Sequence, residues 1–138
     1  MNKTIGIFGG GQLGRMMAQA ALPLNIQCTF FEADADCPSA ILGHVFSTKA
    51  ENGLQDFIAS ADVFSLEFEN TPLIDVDVLT KQKDLYPPRQ ALAIAQHRLS
   101  EKALFDELEI PVAPYKAVDS LETLKLAVSE LGLPIVLK

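Results

Sequence analysis

A glycine-rich turn between an apolar run and an amphipathic segment constrains this chain more than any other feature. Residues 5–8 are apolar, and Gly9, Gly11 and Gly14 then fit the pattern G-x-G-x-x-G. Apolar residues follow at the spacing of one helix face: Leu13, Met16, Met17, Ala20 and Ala21. The start of such a helix favours an anion, through its unpaired N–H groups and its dipole. The pattern indicates either a phosphate-binding strand–turn–helix or a tight turn whose glycines serve only close packing.

The bulk composition restricts the partners that we expect. A length of 138 residues is enough for one domain, or for one domain and part of another. The composition, 49% hydrophobic and 21% charged, is sufficient for a hydrophobic core. A net charge of -7 argues against nucleic-acid binding, and no apolar run is long enough to span a membrane. Cys28 and Cys37 lack CxxC spacing and indicate reduced thiols. We therefore expect a cytoplasmic protein without nucleic-acid or membrane partners.

Short apolar segments alternate with helical patterns over the first 96 residues. The predicted strands are residues 4–8, 26–31, 45–47, 63–68 and 85–86. The predicted helices are residues 12–22, a short one around 54–58, one that has Thr71 as its cap and Pro72 at its first position, and 91–95. This alternation predicts an α/β fold with a parallel sheet and helices on both faces.

Acidic residues follow two of the predicted strands. Glu32 lies a little over twenty residues beyond the first glycine, where a dinucleotide-binding fold places an acid on a ribose hydroxyl. Glu67 and Glu69 flank Phe68 at the end of another strand. Acidic side chains at the end of a buried strand must contact solvent, a metal or ligand hydroxyls to offset the cost of burying their charge. Glu67 and Glu69 would also be favoured there by the dipole of the helix that follows. The pattern leaves a ligand role and a local structural role open.

The character of the chain changes after Gln96. A helix is predicted from Arg98 to about Glu109, followed by a proline-rich extended stretch over residues 110–115. Asp119 and Glu122 predict a capping box for a second helix. Residues 135–138 then predict the start of a strand, so we expect a fragment of a longer protein. The predicted domains are residues 1–96 and 97–138.

Four segments, in this order, resemble 5-(carboxyamino)imidazole ribonucleotide synthetase, the ATPase subunit of phosphoribosylaminoimidazole carboxylase. Residues 9–16 resemble the opening of that family, and residues 67–70 are similar to its acid-aromatic-acid-Asn segment. Arg98, with Lys102, Phe105 and the prolines after them, resembles the opening of an ATP-grasp domain. Residues 134–138 are similar to the strand that carries the nucleotide lysine of that fold. The resemblance covers the whole chain.

The resemblance implies a fold and a reaction. The fold would be a Rossmann-like pre-ATP-grasp domain with a parallel sheet, followed by the truncated start of an ATP-grasp domain. The reaction would be that of an ATP-dependent carbon–nitrogen ligase of purine biosynthesis. It would use ATP and bicarbonate to convert aminoimidazole ribonucleotide to 5-(carboxyamino)imidazole ribonucleotide, with ADP and phosphate as the other products. The resemblance also implies Mg²⁺, with ligands beyond residue 138, a homodimer, and an inactive fragment.

The resemblance also implies residue roles. The expected contacts to the imidazole nucleotide are Gly11, Gln12, Leu13, Cys37, Pro38, Glu67 and Glu69. Arg98 and Lys138 would contact the phosphates of ATP, and no catalytic or metal-binding residue is expected within this chain. The chain departs from the family at four points: Glu32-Ala33 stands in place of an Asp-Pro segment, Cys37 in place of Ser, His97 in place of Asp, and Glu109 in place of Gly.

Two other classes of protein remain open. The glycine motif and Glu32 fit an NAD-binding domain of an oxidoreductase. Against this, Gln12 places a polar amide at the turn, and the segment from Arg98 to Lys138 has no role in such a domain. The second alternative is a non-catalytic nucleotide-binding module.

Overall fold

The computed structural model describes residues 3–138 and divides the chain into two compact units. The first unit ends at Gln96, and the second is His97–Lys138. The first unit holds a single five-stranded parallel sheet with helices, which confirms the predicted α/β class.

The order of the strands places β1 at the centre of the sheet. The strands are β1 Thr4–Phe8, β2 Gln27–Glu32, β3 His44–Ser47, β4 Val63–Leu66 and β5 Leu85–Tyr86. Their order across the sheet is β3-β2-β1-β4-β5. The chain builds outward from β1 to β3 and then returns to the other side of β1 with β4. The carboxyl ends of β1 and β4 therefore flank the topological switch point, where open α/β sheets bind ligands.

Four helices and one 3-10 turn connect these strands. The helices are α1 Gln12–Ala21, α2 Gly53–Ser60, α3 Leu73–Leu79 and α4 Arg89–Ala95, and the 3-10 turn is Leu22–Leu24. Helix α1 has Gly11 as its N-cap and follows β1 directly. The apolar periodicity predicted this helix correctly, apart from Leu22, which begins the 3-10 turn.

Alternation along the central strands divides the core between the two faces of the sheet. Ile7 and Phe8 are both at most 2% exposed and belong to different apolar clusters, because neighbouring strand residues point to opposite faces. In the larger cluster, the ring of Phe57 lies 5.2 Å from that of Phe8 and 5.1 Å from that of Phe64. Phe57 thus joins helix α2 to two strands of the sheet.

Two local predictions in the first unit are wrong. Strand β4 ends at Leu66, not at residue 68, because its pairing with β1 ends there, and Phe68 is 42% exposed. Helix α3 begins at Leu73 with Pro72 as its N-cap, so Thr71 is not the cap. Pro72 has a ψ of 125°, which is outside the helical range, and the hydroxyl of Thr71 donates to the carbonyl of Phe68 instead.

The second unit contains two helices, α5 Arg98–Glu107 and α6 Leu121–Leu131. The capping box of α6 lies one residue away from the predicted Asp119 and Glu122. The hydroxyl of Ser120 accepts from the N–H of Thr123 at 3.2 Å, and the hydroxyl of Thr123 accepts from the N–H of Ser120 at 3.1 Å. Residues 135–138 form no strand, since the part of this unit that the structure describes provides no strand to pair with them.

We expect Phe57→Ala to lower the free energy of unfolding of the first unit by about 3–5 kcal/mol, because it removes a ring that is fully buried between helix and sheet. Hydrogen exchange of the β1 amides measures this quantity for the first unit alone. Ile74→Ala is the control, since Ile74 is 74% exposed. Its effect should stay within about 0.5 kcal/mol. Equal losses in the two variants would contradict the placement of Phe57 at the centre of the core.

Candidate functional site

The candidate site lies at the carboxyl ends of β1 and β4. Phe8 and Leu66, the last residues of these strands, are register partners. The N–H of Glu67 donates to the carbonyl of Phe8 at 2.9 Å, and the N–H of Gly9 donates to the carbonyl of Phe31 at 3.0 Å. Sheet pairing therefore brings the turn after β1 and the residue after β4 side by side.

The turn after β1 requires glycine at its first position. Gly9 has a φ of +100°, a conformation that side chains disfavour. A Cβ atom added to Gly9 would also lie 2.5 Å from Oε2 of Glu67. Gly14, the third residue of helix α1, faces the same carboxylate, with a Cβ position 3.2 Å from Oε2. The glycines let the backbone approach a side chain of the protein itself.

The carboxylate of Glu67 caps helix α1. Its Oε2 accepts from the N–H of Gly11 at 2.7 Å, and its Oε1 accepts from the N–H of Leu13 at 3.2 Å. Gly11 has no side chain with which to cap the helix, and the first turn of α1 contains no acidic residue. Glu67, 54 positions beyond Leu13 in sequence, supplies the negative charge that the helix start favours.

Glu32 binds the same turn from the other side. Its Oε2 accepts from the N–H of Gly10 at 3.1 Å, and its Oε1 accepts from the N–H of Ala33 at 2.6 Å. In a dinucleotide-binding domain this acid would bind a ribose hydroxyl. Here both of its oxygens accept from backbone N–H groups.

The loop after β2 packs against the turn. Ser39 is fully buried: its N–H donates to the carbonyl of Gly10 at 3.0 Å, and its hydroxyl donates to that of Gly11 at 3.2 Å. Cys37 is 6% exposed, and its Sγ would lie 2.5 Å from a Cβ atom on Gly10. Pro38, between them, is half-buried. Sequence analysis missed Ser39, for which only its place in a small, polar loop gave a signal.

Burial raises the pKa of the Cys37 thiol above its ordinary value. The negative charges of Glu32 and Asp34 add to this effect, and backbone hydrogen bonds from Ser39 and Ala40 partly oppose it. Cys37 is therefore a neutral, shielded thiol at pH 7, unsuited to act as a nucleophile.

Gln96 holds the segment that follows Glu67. Its Nε2 donates to the carbonyl of Glu69 and to that of Thr71, both at 2.7 Å. Sequence analysis missed this residue and treated it only as the end of a domain. No local pattern signals its role, because its partners lie 25 and 27 positions away. The side chain of Glu69 itself is exposed.

The predicted substrate-binding residues thus share one edge of the first unit. Glu67 contacts the backbone of Gly11 and Leu13, and Cys37 lies against the neighbouring Gly10. Gln12 and Leu13 are exposed residues of the first turn of α1. Pro38 belongs to the loop that packs against the turn.

The two predicted ATP contacts belong to the second unit. Arg98 is the first residue of α5, and its Nη1 forms an ion pair with Oε2 of Glu101 at 2.7 Å. His97 is the N-cap of this helix, and its Nδ1 accepts from the N–H of Ser100 at 3.4 Å. Histidine therefore takes the capping role that suits the Asp of the family pattern. Lys138 is exposed and lies outside any helix or strand.

Neither a metal cluster nor a membrane span is found over residues 3–138. Within that range no three side chains of His, Cys, Asp or Glu lie close enough together to hold a metal ion. No helix in that range is both long and apolar enough to cross a membrane.

Comparison with known proteins gives one family match and many relatives. The family model for the ribonucleotide synthetase preATP-grasp domain matches residues 1–96. The N5-carboxyaminoimidazole ribonucleotide synthase of Brucella melitensis is 40% identical over 132 residues, which cover 94% of this chain and 36% of the relative. The chain therefore spans about a third of the length of such relatives.

Solved structures of the same kind of enzyme share the fold. The N5-carboxyaminoimidazole ribonucleotide synthetase of Thermus thermophilus matches with a TM-score of 0.84 and 37% identity, over 94% of this chain and 37% of that chain. The synthase of Aspergillus clavatus, in complex with ADP and 5-aminoimidazole ribonucleotide, matches with a TM-score of 0.82 and 27% identity. That match covers 96% of this chain and 37% of the other.

We expect Glu67→Gln to lower the free energy of unfolding of the first unit by about 1–3 kcal/mol, because the amide cannot accept from both N–H groups of the turn. Glu69→Gln removes the same charge two positions away and should change it by less than about 0.5 kcal/mol. Hydrogen exchange of the β1 amides measures both variants. A Glu67→Gln protein as stable as the parent would show that the two hydrogen bonds contribute nothing to the fold.

Proposed function

The chain belongs to the family of ribonucleotide synthetase preATP-grasp domains, and from this we propose that it forms part of an ATP-dependent carbon–nitrogen ligase. The proposed reaction consumes ATP and bicarbonate and carboxylates aminoimidazole ribonucleotide to 5-(carboxyamino)imidazole ribonucleotide, a step of purine biosynthesis. The observation that carries this proposal is the match, over 96% of this chain, to the Aspergillus clavatus synthase in complex with ADP and 5-aminoimidazole ribonucleotide.

The proposed site for the imidazole nucleotide is the edge formed by the carboxyl ends of β1 and β4. Gly11, Gln12 and Leu13 would contact it from the start of α1. The exposed carboxylate of Glu69 is suited to accept from ribose hydroxyls, and Glu67 orders the turn beneath. These roles are supported by the convergence of the residues at the switch point of the sheet.

Cys37 and Pro38 would form a wall of the same site. Because the thiol is buried and lies against Gly10, Cys37 acts in this proposal by shaping the loop and not by donating to the ligand.

In the second unit, Arg98 and Lys138 are proposed to bind the phosphates of ATP. Cations stabilise the charge that develops on a transferring phosphoryl group. Arg98 would share its guanidinium between Glu101 and the nucleotide. Magnesium belongs to such a reaction, but residues 3–138 offer no cluster that fits it, so we assign it no step here. We also propose that the protein forms a homodimer and acts in the cytoplasm.

An NAD-dependent oxidoreductase is the weaker candidate. Both oxygens of Glu32 accept from backbone N–H groups, and the turn donates to Glu67 where a pyrophosphate would bind. A non-catalytic module has no observation in its favour. Release of phosphate from ATP that depends on aminoimidazole ribonucleotide and bicarbonate, by the protein in its longest natural form, separates a ligase from such a module.

We expect Glu69→Ala to weaken the binding of aminoimidazole ribonucleotide by about tenfold or more, because a charge-assisted hydrogen bond is lost. Isothermal titration calorimetry measures the dissociation constant. Glu51→Ala removes an equally exposed carboxylate from another part of the first unit and should leave the constant unchanged. Equal affinities in all three proteins would exclude Glu69 from the site, and tighter binding of NAD than of the ribonucleotide would overturn the proposed function.

We expect Arg98→Ala to weaken ATP binding by about tenfold or more and to leave the affinity for aminoimidazole ribonucleotide unchanged. The matched variant is Lys125→Ala, which removes an exposed cation from helix α6 of the same unit. It should alter neither affinity. Parallel losses for both ligands in Arg98→Ala would instead assign Arg98 a role in the stability of the protein.

A further inference from the structure

Three of the N–H groups that make a glycine turn attractive to phosphate are already bonded in this protein. Gly11 and Leu13 donate to Glu67, and Gly10 donates to Glu32. In a phosphate-binding turn, these positions face the ligand. Here two carboxylates of the chain itself are the acceptors.

The three motif glycines surround one of these carboxylates. Cβ atoms on Gly9 and Gly14 would lie 2.5 Å and 3.2 Å from Oε2 of Glu67, and one on Gly11 would collide with Oε1. The space that the missing side chains leave is therefore filled by the Glu67 carboxylate. A phosphate group in the same place would meet both the atoms and the charge of this side chain.

We propose that Glu67 is a specificity-determining residue that serves as a built-in anion and keeps phosphate groups from binding at the N–H groups of the turn. It thereby prevents a turn of dinucleotide-binding form from accepting a pyrophosphate. The inference rests on the proposed function only because it concerns the same turn. In both, the turn contacts an uncharged part of the nucleotide. Phosphate binding and ribonucleotide binding are measured separately, so either idea fails without the other.

The test is titration of the full 138-residue chain with inorganic pyrophosphate, followed at the backbone amides of Gly11 and Leu13 by ¹H–¹⁵N NMR. In the parent protein these amide signals should not shift. In Glu67→Ala, which removes both the charge and the side-chain volume, they should shift with a dissociation constant at least about tenfold below the highest pyrophosphate concentration that leaves the parent unshifted. Glu69→Ala makes the same change in net charge without touching the turn, and its signals should stay unshifted over that range, as in the parent.

Glu67→Gln keeps the proposal testable if Glu67→Ala does not fold, because it removes the charge and keeps nearly the same volume. It should also gain affinity for pyrophosphate at these amides. Shifts at Gly11 and Leu13 in the parent protein would overturn the proposal, whatever the variants show. So would a folded Glu67 variant without a gain, or an equal gain in Glu69→Ala, which would reduce the effect to net charge. Loss of aminoimidazole ribonucleotide binding without any change in pyrophosphate binding would overturn the exclusion role and leave the proposed function intact.

Discussion

The hydrogen bonds from the start of helix α1 to the Glu67 carboxylate are the interaction on which the site depends. A helix start carries unpaired N–H groups and a partial positive charge, and Gly11 and the first turn of α1 supply neither a capping side chain nor an acid. The missing acceptor comes from the residue after β4. The glycines at positions 9, 11 and 14 follow from this arrangement, because side chains there would occupy the space of the carboxylate.

This interaction in turn requires the strand order of the sheet. Glu67 reaches the turn only because β4 pairs with β1, so that Phe8 and Leu66 end side by side. Aromatic packing on one face of the sheet stabilises this pairing, because Phe57 of helix α2 contacts the rings of both Phe8 and Phe64. Core packing therefore fixes the position of the two strand ends relative to each other, and the strand ends fix the position of Glu67 against the turn.

Sequence alone predicted most of the helices and strands of the first unit, with errors at some of their ends, and it was insufficient for the contacts between them. The periodicity around β1 and α1, and the alternation of strands and helices, predicted the parallel α/β sheet. The cap of α3 and the capping box of α6 were each misplaced by one residue, because Thr71, Pro72, Asp119 and Ser120 all have side chains or backbones that suit a helix start. Backbone dihedrals decided between neighbours where residue type could not.

No local pattern could show the roles of Glu67 and Gln96, because their partners are distant in sequence. The partners of Glu67 are 54 and 56 positions away, and those of Gln96 are 25 and 27 positions away. The G-x-G-x-x-G motif shows the same limit in another form. Its glycines report that something approaches the backbone closely, and a ligand phosphate and an internal carboxylate impose the same requirement. The residue that follows β4, on the side of β1 where the strand order reverses, distinguishes a phosphate-binding turn from one that binds an internal carboxylate. An acid at that position satisfies the helix start from within the protein, and it converts a turn of phosphate-binding form into one that presents negative charge.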